Sequence, residues 1–246
     1  VKALAITTVL ASIFITPAYG WVNSNSCGNF SNNTCYYTAS KAVEYARGHY
    51  GNKTNTPFPY YVNANCTNFV NQAIAAGLIG SNKRSTVSAK IPYYTADYNP
   101  NWDDSQQWYF LANDANWIST TWTGADWFFA YVQNQITLGS WYTGLHFQYV
   151  TQDSFTTALN FSQIQVGDII FADWGYNGMT VDGVIDHVMI VTEKTGNSYA
   201  GIKVTYQSGG GDMYYRDQPL NNLGNLGNIP QVNSLFYVYR PTYYKQ

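Results

Sequence analysis

The chain has 246 residues, of which 46% are apolar and only 11% charged, with a formal net charge of −2. That length and apolar fraction fill a core without staples, and so near-neutral a balance leaves no electrostatic basis for binding nucleic acid or anionic lipid. The polar surface must be built mostly from Asn, Ser, Thr, Gln and Tyr.

Lys2 is followed by an apolar run over 3–15 and then by Pro17-Ala18-Tyr19-Gly20. This pattern predicts a secretory signal peptide over 1–20, cut near Gly20, because the run is shorter than the roughly 18–20 apolar residues a span needs. No later run is long enough to cross a bilayer. The expected product is a secreted or periplasmic domain over 21–246.

Cys27 and Cys35 lie eight positions apart with Gly, Asn and Ser between them, and in an oxidising compartment they are expected to form a disulfide. Cys66 is then odd. An unmatched thiol in an exported protein is buried and inert, bound to another chain, or kept for its reactivity.

A first amphipathic helix is predicted over 40–50, with Ala42, Val43, Tyr45, Ala46 and Tyr50 on its apolar side and His49 near its C-terminus, a favourable dipole contact. The stretch "NTPFPYYVNAN" reads as a loop. A second helix follows, with Phe69, Val70, Ala73, Ile74 and Leu78 as its stripe, Asn65 as N-cap, and Gly77 and Gly80 as stop signals. Cys66 therefore falls in a first helical turn, where free N–H groups and the dipole stabilise a thiolate and can receive an oxyanion.

Aromatic residues make up 17% of the chain and crowd a Trp-rich stretch at about 100–160. The spacing of Trp122, Phe128, Phe129 and Val132 predicts a helical insertion packed by its own rings, one or two of which could meet a sugar or peptide. His146 sits in "WYTGLHFQYV", as a satisfied or half-buried imidazole.

Strands are expected over 168–172, 187–192 and 202–207. His187 opens the middle one, with Met189 and Val191 on its face and Val188 and Ile190 on the other. Gln207 on the next strand could bond the far imidazole nitrogen and fix its tautomer; Asp212 and Asn197 are alternatives, whereas Asp186 points to the other side. Asp173, Asn177, Asp182 and Asp186 faintly suggest a calcium loop, but their spacing does not fit and a turn is expected, with no metal. A Cys helix, a His strand and a polar strand in this order point to papain-like nucleophilic catalysis, set against a structural cysteine.

Five segments carry a family resemblance: "ASKAVEYARGHYGN" at 39–52, "NCTNFVNQAIAAGL" at 65–78, "STTWTGADWFFAYV" at 119–132, "VGDIIFADW" at 166–174 and "DGVIDHVMIVT" at 182–192. In them the chain resembles the putative amidase domain family of the papain-like clan, which also holds the cell-wall-directed NlpC/P60 and CHAP enzymes. The resemblance implies an α+β, papain-like (NlpC/P60-like) fold. N-terminal helices, including the Cys helix, would pack on an antiparallel sheet that carries the His, with the Trp-rich helical insertion besides. It makes Cys66 the nucleophile and His187 the general base. Asn65 stands where relatives commonly have Asp, and Gln207 where they often have His.

The expected catalytic set is Cys66, His187 and Gln207, with Tyr60, Tyr61, Asn65 and Trp122 as oxyanion or substrate contacts. No metal or organic cofactor is required. The expected activity is that of an exported cysteine hydrolase cutting amide bonds in peptidoglycan, in the stem peptide or at its link to glycan, of the producer's own wall or a competitor's. An inhibitor or immunity protein would be a fitting partner. Two alternatives stand beside it: a protease, acyltransferase or deamidase acting on proteins, and a glycan- or protein-binding module with an inert Cys66.

Overall fold

A tight hairpin, β1 (Phe30–Ser31) and β2 (Thr34–Tyr36), turns on Asn32 and Asn33, whose φ values of 49° and 59° are the left-handed ones that asparagine tolerates. In this computed structural model the described residues are 27–55, 57–62, 65–91, 108, 110, 118–139, 144–154, 156–174, 181–208, 214–223 and 234–245. The leader at 1–20, most of the aromatic stretch before Ile118, Asn177 and Asp212 lie outside them. Cys27 and Cys35 form the expected disulfide, with Cα atoms 5.5 Å apart. Gly28 next to it donates to the Leu78 carbonyl at 3.0 Å, which ties the bridged segment to the far end of the second helix.

Helix α1 (Ala39–His49) buries Ala42, Val43, Tyr45 and Ala46 against α2 (Cys66–Ile79), as the periodicity predicts. All fourteen residues of α2 are buried, so it is a central element and not an amphipathic surface helix. It stops at Gly80, whose φ of 74° lets its N–H turn back to the Ala76 carbonyl at 2.9 Å. Gly77, expected as a second stop, lies inside the helix instead. There a side chain would run into the Tyr37 ring, so close packing and not termination requires glycine. A short helix, α3 (Arg84–Lys90), follows.

After a 3-10 turn at Thr120–Trp122, α4 (Ala125–Leu138) buries Ala125, Phe128, Tyr131, Val132 and Gln135 along one face. The insertion expected to stay helical to about 160 becomes strand at β3 (Gly144–Gln152), because its aromatic and β-branched residues, Phe147, Tyr149, Val150 and Thr151, suit a strand that pairs with β8. The remaining strands are β4 (Ile169–Trp174), β5 (His187–Lys194), β6 (Ile202–Gln207), β7 (Tyr214–Pro219) and β8 (Ser234–Lys245).

All strand pairings are antiparallel, in the order β1-β2-β8-β4-β5-β6-β7, with β3 on the other side of β8. The long β8 is the hinge of this curled sheet: one edge pairs with β3, the other with β4 and then β2. Ile169, Phe171, Val188 and Ile190 face the helices in one core. Ile170, Ala172, Met189, Val191, Val204 and Tyr206 face a second core with Leu159, Ile164 and Leu220. The fold is thus α+β, with β5 covered on both faces as its alternation predicts. Among the described residues no helix is long and apolar enough to cross a membrane.

Candidate active site

Cys66 is the first residue of α2 and is 6% exposed. Burial pushes its thiol up from the ordinary value. Against that work the Thr67 hydroxyl, 3.6 Å from the sulfur, and backbone hydrogen bonds from Val188, Thr67 and Cys66. Two of these donors are free N–H groups of a helix start. The third, that of Val188, is on β5, just before the β5–β6 register begins at Ile190 and Thr205. These groups are suited to holding negative charge on sulfur or on an attached oxyanion.

His187 is brought next to this site along the chain but not through its side chain. Its pairing with Ala172 puts the imidazole on the face of Ala172 and Met189, away from α2. There it stacks on Trp174 at 4.9 Å and meets the edge of Tyr206 at 4.9 Å. It is 3% exposed, and its Nε2 is buried with no partner among the described residues. Burial pushes its pKa down to about 3, so the ring is neutral. No hydrogen bond joins it to Cys66. The period-two alternation read from the sequence accounts for this, since it turns the Val188 side chain into the core shared with α2 and that of His187 to the other face.

Gln207 does not orient His187. It lies on the α2 face of β6, opposite to the imidazole, and its Oε1 accepts from Asn65 Nδ2. Its Nε2 donates to the Tyr50 carbonyl at 2.7 Å. The two positions expected from the resemblance to depart from the family pattern touch each other. Asn65 precedes α2 but does not cap it with its side chain. Its Oδ1 instead accepts the Tyr61 N–H at 3.0 Å and Asn68 Nδ2 at 2.9 Å.

The other expected contacts change role as well. The Tyr60 N–H is taken by Asn55 Oδ1 at 2.8 Å and that of Tyr61 by Asn65, so neither amide is open to an oxyanion. Trp122 is fully buried among Phe58, Trp108 and Phe110, because its helical spacing serves the core and not the surface. His49 bonds the Asn82 carbonyl at 2.8 Å, and His146 is buried and stacked on Tyr243 at 4.5 Å. Asn197 lies in the turn at the far end of β5 from His187. Asp173, Asp182 and Asp186 each accept a backbone N–H of their own loop or of β4, from Gly183, Val184 and Trp174.

What the sequence reading misses is the polar half of α2. Asn68 donates to the Pro59 carbonyl at 2.7 Å, Asn71 accepts from Trp108 at 2.6 Å, and Gln72 accepts from Tyr45 at 2.7 Å. The signal was available: Thr67, Asn68, Asn71 and Gln72 crowd the first two turns of an otherwise apolar helix. A cavity of about 290 Å³ lies elsewhere, beside Tyr37, Asp168 and Arg240, and its polar walls are paired with one another.

A family described as a putative amidase domain matches the chain over residues 36–224, a span that holds both Cys66 and His187. No curated protein and no solved structure matches it.

Proposed function

Since the chain belongs to the putative amidase domain family, we propose that it hydrolyses amide bonds with Cys66 as nucleophile and His187 as base, on the papain-like plan. The observation that carries this reading is Cys66 at the start of α2, with N–H donors from the helix and from β5 around its sulfur. The thiolate attacks the substrate carbonyl, and the surrounding N–H groups share the charge of the tetrahedral oxyanion. The imidazole takes the thiol proton, returns it to the leaving amine, and activates the water that clears the thioester.

For this the imidazole must cross to the α2 face. His187 is the first residue of β5, and its pose opposite α2 leaves a buried nitrogen unpaired among the described residues, at a cost of about 1–3 kcal/mol, which offsets part of the cost of moving. The substrate we favour is peptidoglycan, at the stem peptide or its link to glycan. An exported hydrolase meets the wall first, and the disulfide suits an oxidising compartment.

Digestion of purified peptidoglycan, read by mass spectrometry, tests the proposal. Fragments with a newly cut amide bond are expected from the wild type and none from Cys66→Ala, while His187→Ala slows their release by about 10²–10⁴-fold. Undiminished fragments from Cys66→Ala would overturn it. A second reading is a wall- or protein-binding module, favoured by the buried thiol and the averted imidazole. It requires that no fragment appear and that Cys66→Ala bind the wall as the wild type does.

A further inference from the structure

Asn65 and Gln207 lie 142 positions apart in the sequence and meet in the interior through their side-chain amides. Gln207 Nε2 donates to Tyr50 O at 2.7 Å and faces His49 O and Asn52 O at 3.3 Å each. Three carbonyls fix the sense of this amide: its nitrogen must face them, and its oxygen must face residue 65. Residue 65 must then offer a donor. Asn65 does so and still has an oxygen for the Tyr61 N–H and for Asn68, which reaches on to the Pro59 carbonyl. Asn65, Asn68 and Gln207 are only 2%, 1% and 4% exposed, so water cannot readily stand in for a lost partner.

We propose that Asn65 and Gln207 form a directional amide clamp, with Gln207 as a positioning residue that seats segment 59–61 against the start of α2 and so places Cys66. The placing of Cys66 for attack rests on the amide-hydrolysis reading; the clamp does not. An aspartate at 65 would set a carboxylate oxygen against Gln207 Oε1, and a glutamate at 207 would set one against three carbonyls. Either substitution is tolerated only while the new carboxyl is protonated and can donate. The titratable or charged groups around the pair include His49, held by Asn82 and within reach of the Arg84 charge, Cys66 beside Asn65, Tyr50 and Tyr61 on the segments the pair holds, and Lys53 over the ring of Tyr214, the register partner of Gln207. His187 is on the opposite face of the sheet.

Hydrogen exchange of the Tyr61 amide, compared with wild type at each pH, tests this without requiring activity. Gln207→Glu should match the wild type within about twofold at pH 5 and exchange at least about tenfold faster at pH 8, as its carboxyl ionises. Gln207→Ala should exchange faster by the same factor at both pH values. Should Gln207→Glu not fold, Gln207→Met, which keeps the length of the side chain but neither its donor nor its acceptor, should exchange faster at both pH values. Wild-type protection in Gln207→Glu at pH 8, or in Gln207→Ala at either pH, would overturn the clamp. Hydrolysis should fall in step with protection in Gln207→Glu; lost protection with undiminished hydrolysis would overturn the positioning role.

Discussion

Replacing His187 by Phe should change how the stability of the protein depends on pH. The imidazole lies between Trp174 and Tyr206, 3% exposed, and burial holds its pKa at about 3 against the ordinary 6.5. Between those two values the unfolded chain binds a proton that the fold excludes. Stability therefore falls as pH drops below about 6.5 and stops falling on this account near pH 3. At pH 4 the loss from this one group is on the order of 3 kcal/mol.

A phenylalanine keeps the ring between its neighbours and removes both the proton and the unpaired Nε2. Urea unfolding of the two proteins at pH 7 and pH 4 gives the difference directly, and carboxylates elsewhere contribute equally to both and cancel. The variant should gain about 3 kcal/mol on the wild type between the two pH values. A difference that does not change with pH would refute the buried, neutral imidazole. A change of opposite sign would mean that His187 is paired with the Cys66 thiolate at rest, because such pairing raises its pKa and gives stability that is lost on raising the pH.

Reducing the Cys27–Cys35 bridge frees a loop with a sequence separation of 8. It should cost about 2–3 kcal/mol and lower the melting temperature by about 5–10 °C, read by circular dichroism with and without reductant; an unchanged melt would show that the bridge does not hold the fold. Arg240→Ala should cost about 3 kcal/mol in urea unfolding, because it strands Asp168, 1% exposed and bonded to the guanidinium at 2.7 and 3.0 Å. Arg240→Lys should recover only part of that loss, since an ammonium lacks the planar fork that gives two parallel hydrogen bonds to the carboxylate; a loss below about 0.5 kcal/mol in the alanine variant would contradict the argument.

Helices α1 and α2, strands β4 to β6, the disulfide and the position of Cys66 at a helix start were legible in the sequence, because each follows from local spacing: apolar residues at helical or strand period, and turn residues between them. So was the alternation of β5, including the face that His187 shares with Met189 and Val191. Strand β3 was hidden inside an aromatic stretch whose residues suit helix and strand alike, and it becomes strand only because β8 pairs with it. Gly77 looked like a stop, and only the Tyr37 ring beside it shows otherwise.

The sequence by itself determined which chemical groups are available and which local element carries each. Tertiary structure alone decided which of them meet. Cys66 sits beside the backbone of Val188 and not beside an imidazole, and Gln207 holds Asn65 and not His187. Both outcomes turn on the face of the sheet against which α2 packs, and that choice is made by burial summed over two whole cores, which no spacing within one strand records.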